Sequence, residues 1–184
     1  MENIMRSRTD LAVYFKERGF KTGAEIGVAD GRYSEILLKT IPGLKLYCVD
    51  PWMPYEKNWR SEDYQEKAYT QAVVKLGDYN CEIIRKTSIE ASLEVPDKSL
   101  DFVFIDGAHT FDHVMTDVIV WSRKVRKKGI VSGHDYMHFT DSGVVEAVNK
   151  YTEIHKLELN LIQRNQENFK DDRQPCWWFV KRDT

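Results

Sequence analysis

The chain has 184 residues, 42% of them hydrophobic, with 27 lysines and arginines against 29 aspartates and glutamates. That length buries one good core and leaves no room for a second domain of ordinary size, so a single domain over residues 1–184 is expected. Neither sign of charge forms a long block, which argues against partners such as nucleic acid or an anionic membrane.

Periodicity alternates between strand and helix along nearly the whole chain, the order of an α/β protein with a mostly parallel sheet. An opening helix within residues 1–20 turns Leu11, Tyr14 and Phe15 toward a core and stops at Gly19, a residue suited to a left-handed cap. A first strand over Thr22–Gly27 is followed by a helix over Arg32–Thr40 and a second strand over Lys45–Val49, with Pro42 and Gly43 as punctuation between them. After Pro51 comes the polar, aromatic PWMPYEKNWR. Residues 52–77 read as a lid or insert that ends in a helix from about Ser61 to Leu76, where Ser61 caps and Glu62 and Asp63 suit the first turn.

The third strand is Glu82–Arg85 and the fourth Leu100–Ile105, followed by a helix from Phe111 to about Arg126. The basic run RKVRKK, Arg123 to Lys128, reads as cations complementing that helix's C-terminus. Gly129 then leads into a fifth strand, IVS, and a helix near Val144–Tyr151. Within residues 156–181, KLELNLIQRN and CWWFVKR stand too close together for a packed helix between them. They read as an antiparallel hairpin appended to the parallel sheet. The expected fold is Rossmann-like, seven strands with helices on both faces.

Cys48, Cys81 and Cys176 are an odd number in apolar surroundings, which fits a reduced, cytoplasmic protein better than a disulfide framework. The opening MENIMRSRTDLAVYF has no signal-type apolar core, and no run approaches the roughly 18 apolar residues of a membrane span.

Ligands of such sheets gather at the carboxyl ends of the strands, near the switch in strand order. Those ends carry Gly27, Asp30 and Gly31, then Asp50, then Thr87 and Ser88, then Asp106 and His109, and last His134 and Asp135. A pyrophosphate turn takes G-x-G-x-x-G, whereas this one has only Gly27 and Gly31, so a phosphate cradle is poorly supported. Asp50 stands where a carboxylate accepts both hydroxyls of a ribose; its plainer reading is a turn residue before Pro51. Asp106, His134 and Asp135 offer two carboxylates and an imidazole to a divalent cation such as Mg²⁺.

Histidine ordinarily titrates near neutrality, so His109 suits a general base, or it braces the helix that follows. His134 either joins the cation site or orients its loop. His113 shares a helical face with His109 and reads as a surface residue, while His138 and His155 read as structural. Trp52, Met53, Tyr55 and Trp59, with Tyr136, Met137 and Phe139, are candidates for an aromatic roof over a flat or sugar-like ligand. Trp121, Trp177 and Trp178 read as core.

The E-x-G-x-x-x-G of Glu25, Gly27 and Gly31, followed by VDPW, TS and DFVFIDGAHTFDHVMTDVIVWSRKVRKKGIVSGHDY, resembles the class I S-adenosylmethionine-dependent methyltransferases. The branch is that of small-molecule and sugar O-methyltransferases, whose segments read much like IDGxHxY and GGxxxGHDY. The likeness runs from about Gly23 to Tyr151, and the terminal hairpin matches the family's last two strands. It implies that Glu25, Gly27 and Gly31 shape the methionine end of the cofactor pocket, that Asp50 holds the ribose, and that Thr87 and Ser88 border the adenine. Asp106 would lie beneath the sulfonium.

The implied reaction is methyl transfer to a hydroxyl of a small molecule or glycan, with Asp106 and His109 catalytic and Mg²⁺ or another divalent cation on Asp106, His134 and Asp135. Relatives similar to the catechol type carry a lysine three residues after the strand-four aspartate, where this chain has His109. A second departure is Lys128, where the family commonly has the first glycine of a pair; it affects a turn. Two other classes stay open: a metal-dependent hydrolase built on Asp106, His109, His113, His134 and Asp135, and a non-catalytic cofactor-binding module. A homodimer is the general expectation.

Overall fold

Side chains of successive strand residues point to opposite faces, and the fourth strand shows what this does to the molecule. Phe102 and Phe104 enter one layer with Leu11, Phe15 and Leu37. Val103 and Ile105 enter the other with Val114, Val118 and Trp121. The computed structural model describes residues 5–54, 60–162 and 174–182. Tyr55 and Trp59 of the lid segment, and residues 163–173 of the terminal hairpin, lie outside the described residues.

The elements run α1 (Arg8–Glu17), β1 (Thr22–Ile26), α2 (Arg32–Thr40), β2 (Lys45–Val49), α3 (Glu62–Leu76), β3 (Cys81–Ile84) and α4 (Ser88–Ser92). Then follow β4 (Leu100–Ile105), α5 (Phe111–Lys124), β5 (Val125–Gly133), α6 (Val144–Ile154), β6 (Asn160–Ile162) and β7 (Cys176–Val180). Among the described residues they form a seven-stranded sheet in the order β3-β2-β1-β4-β5-β7-β6. The strands β3 to β5 pair in parallel, and β7 is antiparallel to both β5 and β6. This is the expected Rossmann-like fold with its appended hairpin. Because β1 pairs with β2 on one edge and β4 on the other, the ends of β1 and β4 form the switch point where a crevice opens.

Three of the described helices start at side-chain caps. Ser7 and Ser61 accept from the backbone N–H groups of Asp10 and Tyr64, as Ser61 was expected to do. The short α4 is absent from the sequence expectation because five residues carry no periodicity. Its T-x-x-E start is nonetheless a full capping box between Thr87 and Glu90.

The largest correction concerns the basic run. Arg123 and Lys124 close the last turn of α5 as expected, but Val125 already belongs to β5 and pairs with Leu100. Val125 is buried and Arg126 binds Asp101 at 2.6 Å, so β-branched burial and an ion pair begin the strand before Gly129. The register then shifts between Leu100 and Phe102. Lys128 absorbs the shift with φ 65, a left-handed conformation that costs a non-glycine residue roughly 1–2 kcal/mol. Lys128→Gly should therefore raise stability in urea unfolding by about 0.5–1 kcal/mol, once the greater chain entropy of glycine is subtracted. A loss would show that the lysine side chain stabilises the turn.

No described helix is long and apolar enough to cross a membrane.

Candidate active site

The turn after β1 closes against the end of β4. Gly27 has φ 91, and a Cβ on it would stand 2.1 Å from the Asp106 carbonyl oxygen, so only glycine allows this approach. From the β2 side, Asp50 Oδ2 accepts from the Val28 and Ala29 N–H groups at 3.0 Å each, and Oδ1 accepts from Trp52 N–H at 2.8 Å. Trp52 Nε1 donates to the Ala29 carbonyl at 2.8 Å. Burial raises the Asp50 pKa while these three N–H groups oppose it.

A cavity of about 410 Å³ opens beside this turn, floored by Glu25 and Gly27 and walled by Asp106, His109, His134 and Asp135. Its volume lies in the range of small-molecule sites. Glu25 is buried, accepts a hydrogen bond from the Ser34 hydroxyl, and is pushed up to about 8 by burial. It is therefore a largely neutral carboxyl at neutral pH.

Asp106 follows β4 and His134 and Asp135 follow β5, adjacent parallel strands whose register places Ile105 beside Gly133. Asp135 has φ 53, a left-handed conformation that Asp tolerates better than most residues and that recurs at functional sites. Asp135 Oδ2 lies 3.0 Å from His109 Nε2 and 3.4 Å from His134 Nδ1. Asp106 Oδ1 lies 3.7 Å from His134 Nδ1 and 3.9 Å from His109 Nε2. Burial disfavours the charge on His109, but Asp106 and Asp135 outweigh it and push the imidazole up to about 9. Burial likewise opposes the charge on Asp135, yet His109 and His134 hold its carboxyl well below the usual range.

Of the remaining sequence candidates Asp30 also lines the cavity, and most of the others lie apart from its wall. Gly31 caps the start of α2, Asp50 faces the turn backbone, and Thr87 caps α4. Ser88 donates to Asp117 and accepts from Trp121 Nε1. His113 is exposed and pairs with the Thr110 hydroxyl at 2.7 Å, so the five-residue hydrolase cluster is not assembled. Trp52 is buried against Tyr69 rather than roofing the cavity. Phe139 does reach the site, its ring edge-on to His109 at 5.5 Å. His138 faces Glu146 and His155 packs on Tyr151, both away from the cavity.

Arg60 and Tyr64 of the lid segment also line the cavity, and so do Arg8 and Tyr33, which were not candidates in the sequence reading. Arg8 reaches from α1 to Asp106 Oδ2 at 3.6 Å and lies over the Tyr33 ring, whose hydroxyl donates to the Arg8 carbonyl at 2.9 Å. No local sequence pattern signals this, because the contact depends on how α1 packs across α2.

Comparison with known proteins supplies the family. Among solved structures, an O-methyltransferase from Bacillus cereus in complex with SAH shares the fold at TM-score 0.70 and 14% identity, over 94% of this chain and 80% of that one. An rRNA methylase from Streptococcus thermophilus matches at TM-score 0.63 and 14% identity, over 96% of this chain and 95% of that one. A curated relative, the uncharacterized protein y4gI of Sinorhizobium fredii, is 29% identical over 91 residues, 48% of this chain and 10% of that protein's length. This chain thus spans a small part of that relative. The family described as a methyltransferase domain matches residues 24–136, more than half of the chain. The chain belongs to that methyltransferase-domain family.

Proposed function

We propose that the chain transfers the methyl group of S-adenosylmethionine to a hydroxyl of a small molecule or sugar, with a divalent cation assisting. The observation that carries this reading is the convergence of Asp106, His109, His134 and Asp135 on one cavity beside the Gly27 turn. In an in-line displacement the methyl carbon leaves sulfur and bonds to the acceptor oxygen, the sulfonium becoming a thioether, so the enzyme has to align the acceptor and remove its proton. His109 Nε2 takes that proton when the imidazole is neutral. In this reading Glu25, Gly27 and Gly31 shape the methionine end, Asp50, whose carboxylate also braces the turn backbone, holds the ribose, and Thr87 and Ser88 border the base at the rim of the cavity. The near-balanced charge of the chain favours a small acceptor over nucleic acid.

The donor atoms of Asp106, His134 and Asp135 lie within 4.8 Å of one another, and two carboxylates with one imidazole fit Mg²⁺ or Mn²⁺. When bound, such an ion lowers the pKa of an acceptor hydroxyl and fixes its direction. Calorimetric titration with S-adenosylhomocysteine, in EDTA and again with Mg²⁺ or Mn²⁺, tests both parts. Binding near −8 kcal/mol, roughly micromolar, is expected, together with uptake of the ion by the protein. No heat from the nucleoside in either buffer would overturn the cofactor assignment. No uptake of the ion would overturn the cation site alone.

A further inference from the structure

Among the described residues three arginines line the cavity, Arg8, Arg32 and Arg60, and the proposed reaction gives none of them a task. They come from separate segments and meet different carboxylates. Arg32 Nε donates to Asp30 Oδ2 at 2.7 Å, in the turn at the methionine end. The charge of Arg60 acts on Asp50, at the ribose end, where it opposes the rise in the Asp50 pKa. Arg8 alone reaches the acid and histidine cluster, 3.6 Å from Asp106 Oδ2. The other oxygen of that carboxylate, Oδ1, faces His134 Nδ1 at 3.7 Å and His109 Nε2 at 3.9 Å. One carboxylate therefore separates the Arg8 guanidinium from the imidazole that takes the acceptor's proton.

Arg8 is fixed at both ends. Its guanidinium lies over the Tyr33 ring at 5.1 Å, and the Tyr33 hydroxyl donates to the Arg8 carbonyl at 2.9 Å. A planar guanidinium seated on an aromatic face is a preorganised fork for a carboxylate or phosphate. The Arg8 side chain is also only 14% exposed, and a cation so far withdrawn from water is costly unless an anion stands near it. In the empty site Asp106 supplies that negative charge. Asp106 is also one of the three donors of the candidate cation site, so an ion there weakens the hold of Asp106 on Arg8. The cofactor adds a sulfonium cation to the same cavity, and its single carboxylate lies at the methionine end, beside the turn that carries Arg32. The anion that restores the balance at Arg8 comes with the acceptor.

We infer that the acceptor carries a carboxylate or phosphate group in addition to its reacting hydroxyl, and that Arg8 binds this anion and selects acidic acceptors over neutral ones of similar shape. This rests on the cofactor and reaction proposed above.

The probes are two pairs of hydroxyl compounds, protocatechuate against its neutral amide and glucose 6-phosphate against glucose. Each is titrated calorimetrically into the protein saturated with S-adenosylhomocysteine and Mg²⁺. In at least one pair the acidic member should bind about tenfold to a hundredfold more tightly, the usual advantage of hydrogen bonds between charged groups. The pair that responds tells a carboxylate from a phosphate. Arg8→Met keeps the stem over Tyr33 and should lower that preference by roughly tenfold. Arg8→Lys, which keeps the charge and loses the fork, should retain part of it, and Arg60→Met should retain it in full.

Thermal melting shows which variants are folded; Arg8→Lys and the preference of the unchanged protein decide the matter if Arg8→Met is not. No binding of either acidic compound, a preference near one in both pairs, or a preference unmoved in folded Arg8→Met overturns the role of Arg8 and leaves the cofactor assignment standing. An equal fall in Arg60→Met overturns it too, by making the preference a property of the cavity's whole field. A weaker hold on S-adenosylhomocysteine in Arg8→Met, with the preference intact, assigns Arg8 to the cofactor's carboxylate instead. Failure of the unchanged protein to bind S-adenosylhomocysteine overturns the cofactor assignment itself.

Discussion

Replacing His109 with asparagine should lower the rate of methyl transfer by roughly 10²- to 10⁴-fold, the usual loss when a general base is removed. The pH profile should change with it. His109 is pushed up to about 9, burial opposing its charge and the carboxylates of Asp106 and Asp135 prevailing. Its raised pKa means that the proton is held below that value and lost as pH rises through it. With the cation site stripped by EDTA, kcat/KM should therefore climb about tenfold per pH unit from neutrality toward about pH 9 and then level. The same ion pairs stabilise the fold below the ordinary histidine range and lose that contribution as pH rises through about 9.

With Mg²⁺ or Mn²⁺ added, Asp106 and Asp135 hold His109 less strongly, and the limb should move toward neutral pH. Rate profiles of the unchanged protein and His109→Asn, each with and without EDTA, check this. A limb that persists in His109→Asn assigns the proton to another group.

The parts of this arrangement that a sequence reveals are those fixed by short apolar runs. Val103 to Ile105 and Ile130 to Ser132 can only be buried strands, so the polar residues that follow them, Asp106, His109, His134 and Asp135, must meet at the carboxyl edge of the sheet. The cluster was legible for that reason, and the structure brings all four to one cavity. Arg8 was not legible, because its position depends on where a helix lands after the sheet has formed. Ser88 is an intermediate case. The capping box at Thr87 is local and readable, whereas the turn of Ser88 toward Asp117 and Trp121 depends on α4 packing against α5. The beginning of β5 was misplaced because a glycine after a basic run looks like a helix stop. The deciding contacts, Arg126 to Asp101 and Val125 beside Leu100, join segments distant in sequence.

Gly27→Ala should be the most damaging single-methyl change in the molecule, lowering stability by about 3–5 kcal/mol. Two effects combine in that figure. The backbone at Gly27 has φ 91, which strains an alanine by roughly 1–2 kcal/mol. The new methyl would also stand 2.1 Å from the Asp106 carbonyl oxygen and 2.7 Å from the Gly107 nitrogen, main-chain atoms that no rotamer change can move aside. Relief requires β1 and β4 to part at their ends, where the Asp106 N–H donates to the Ile26 carbonyl at 2.7 Å, and it strains the neighbouring β1–β2 contact, where the Gly27 N–H donates to the Val49 carbonyl at 2.8 Å.

Gly43→Ala is the control that separates the two effects. Its φ of 74 is equally left-handed, but nothing lies within 4 Å of the added methyl, so it should cost only the conformational strain, roughly 1–2 kcal/mol. Urea unfolding of both variants gives the difference directly. A gap of about 2 kcal/mol or more would measure the close approach of the two strand ends. Equal losses would mean that β1 and β4 part easily, and that the cavity between them opens and closes at little cost.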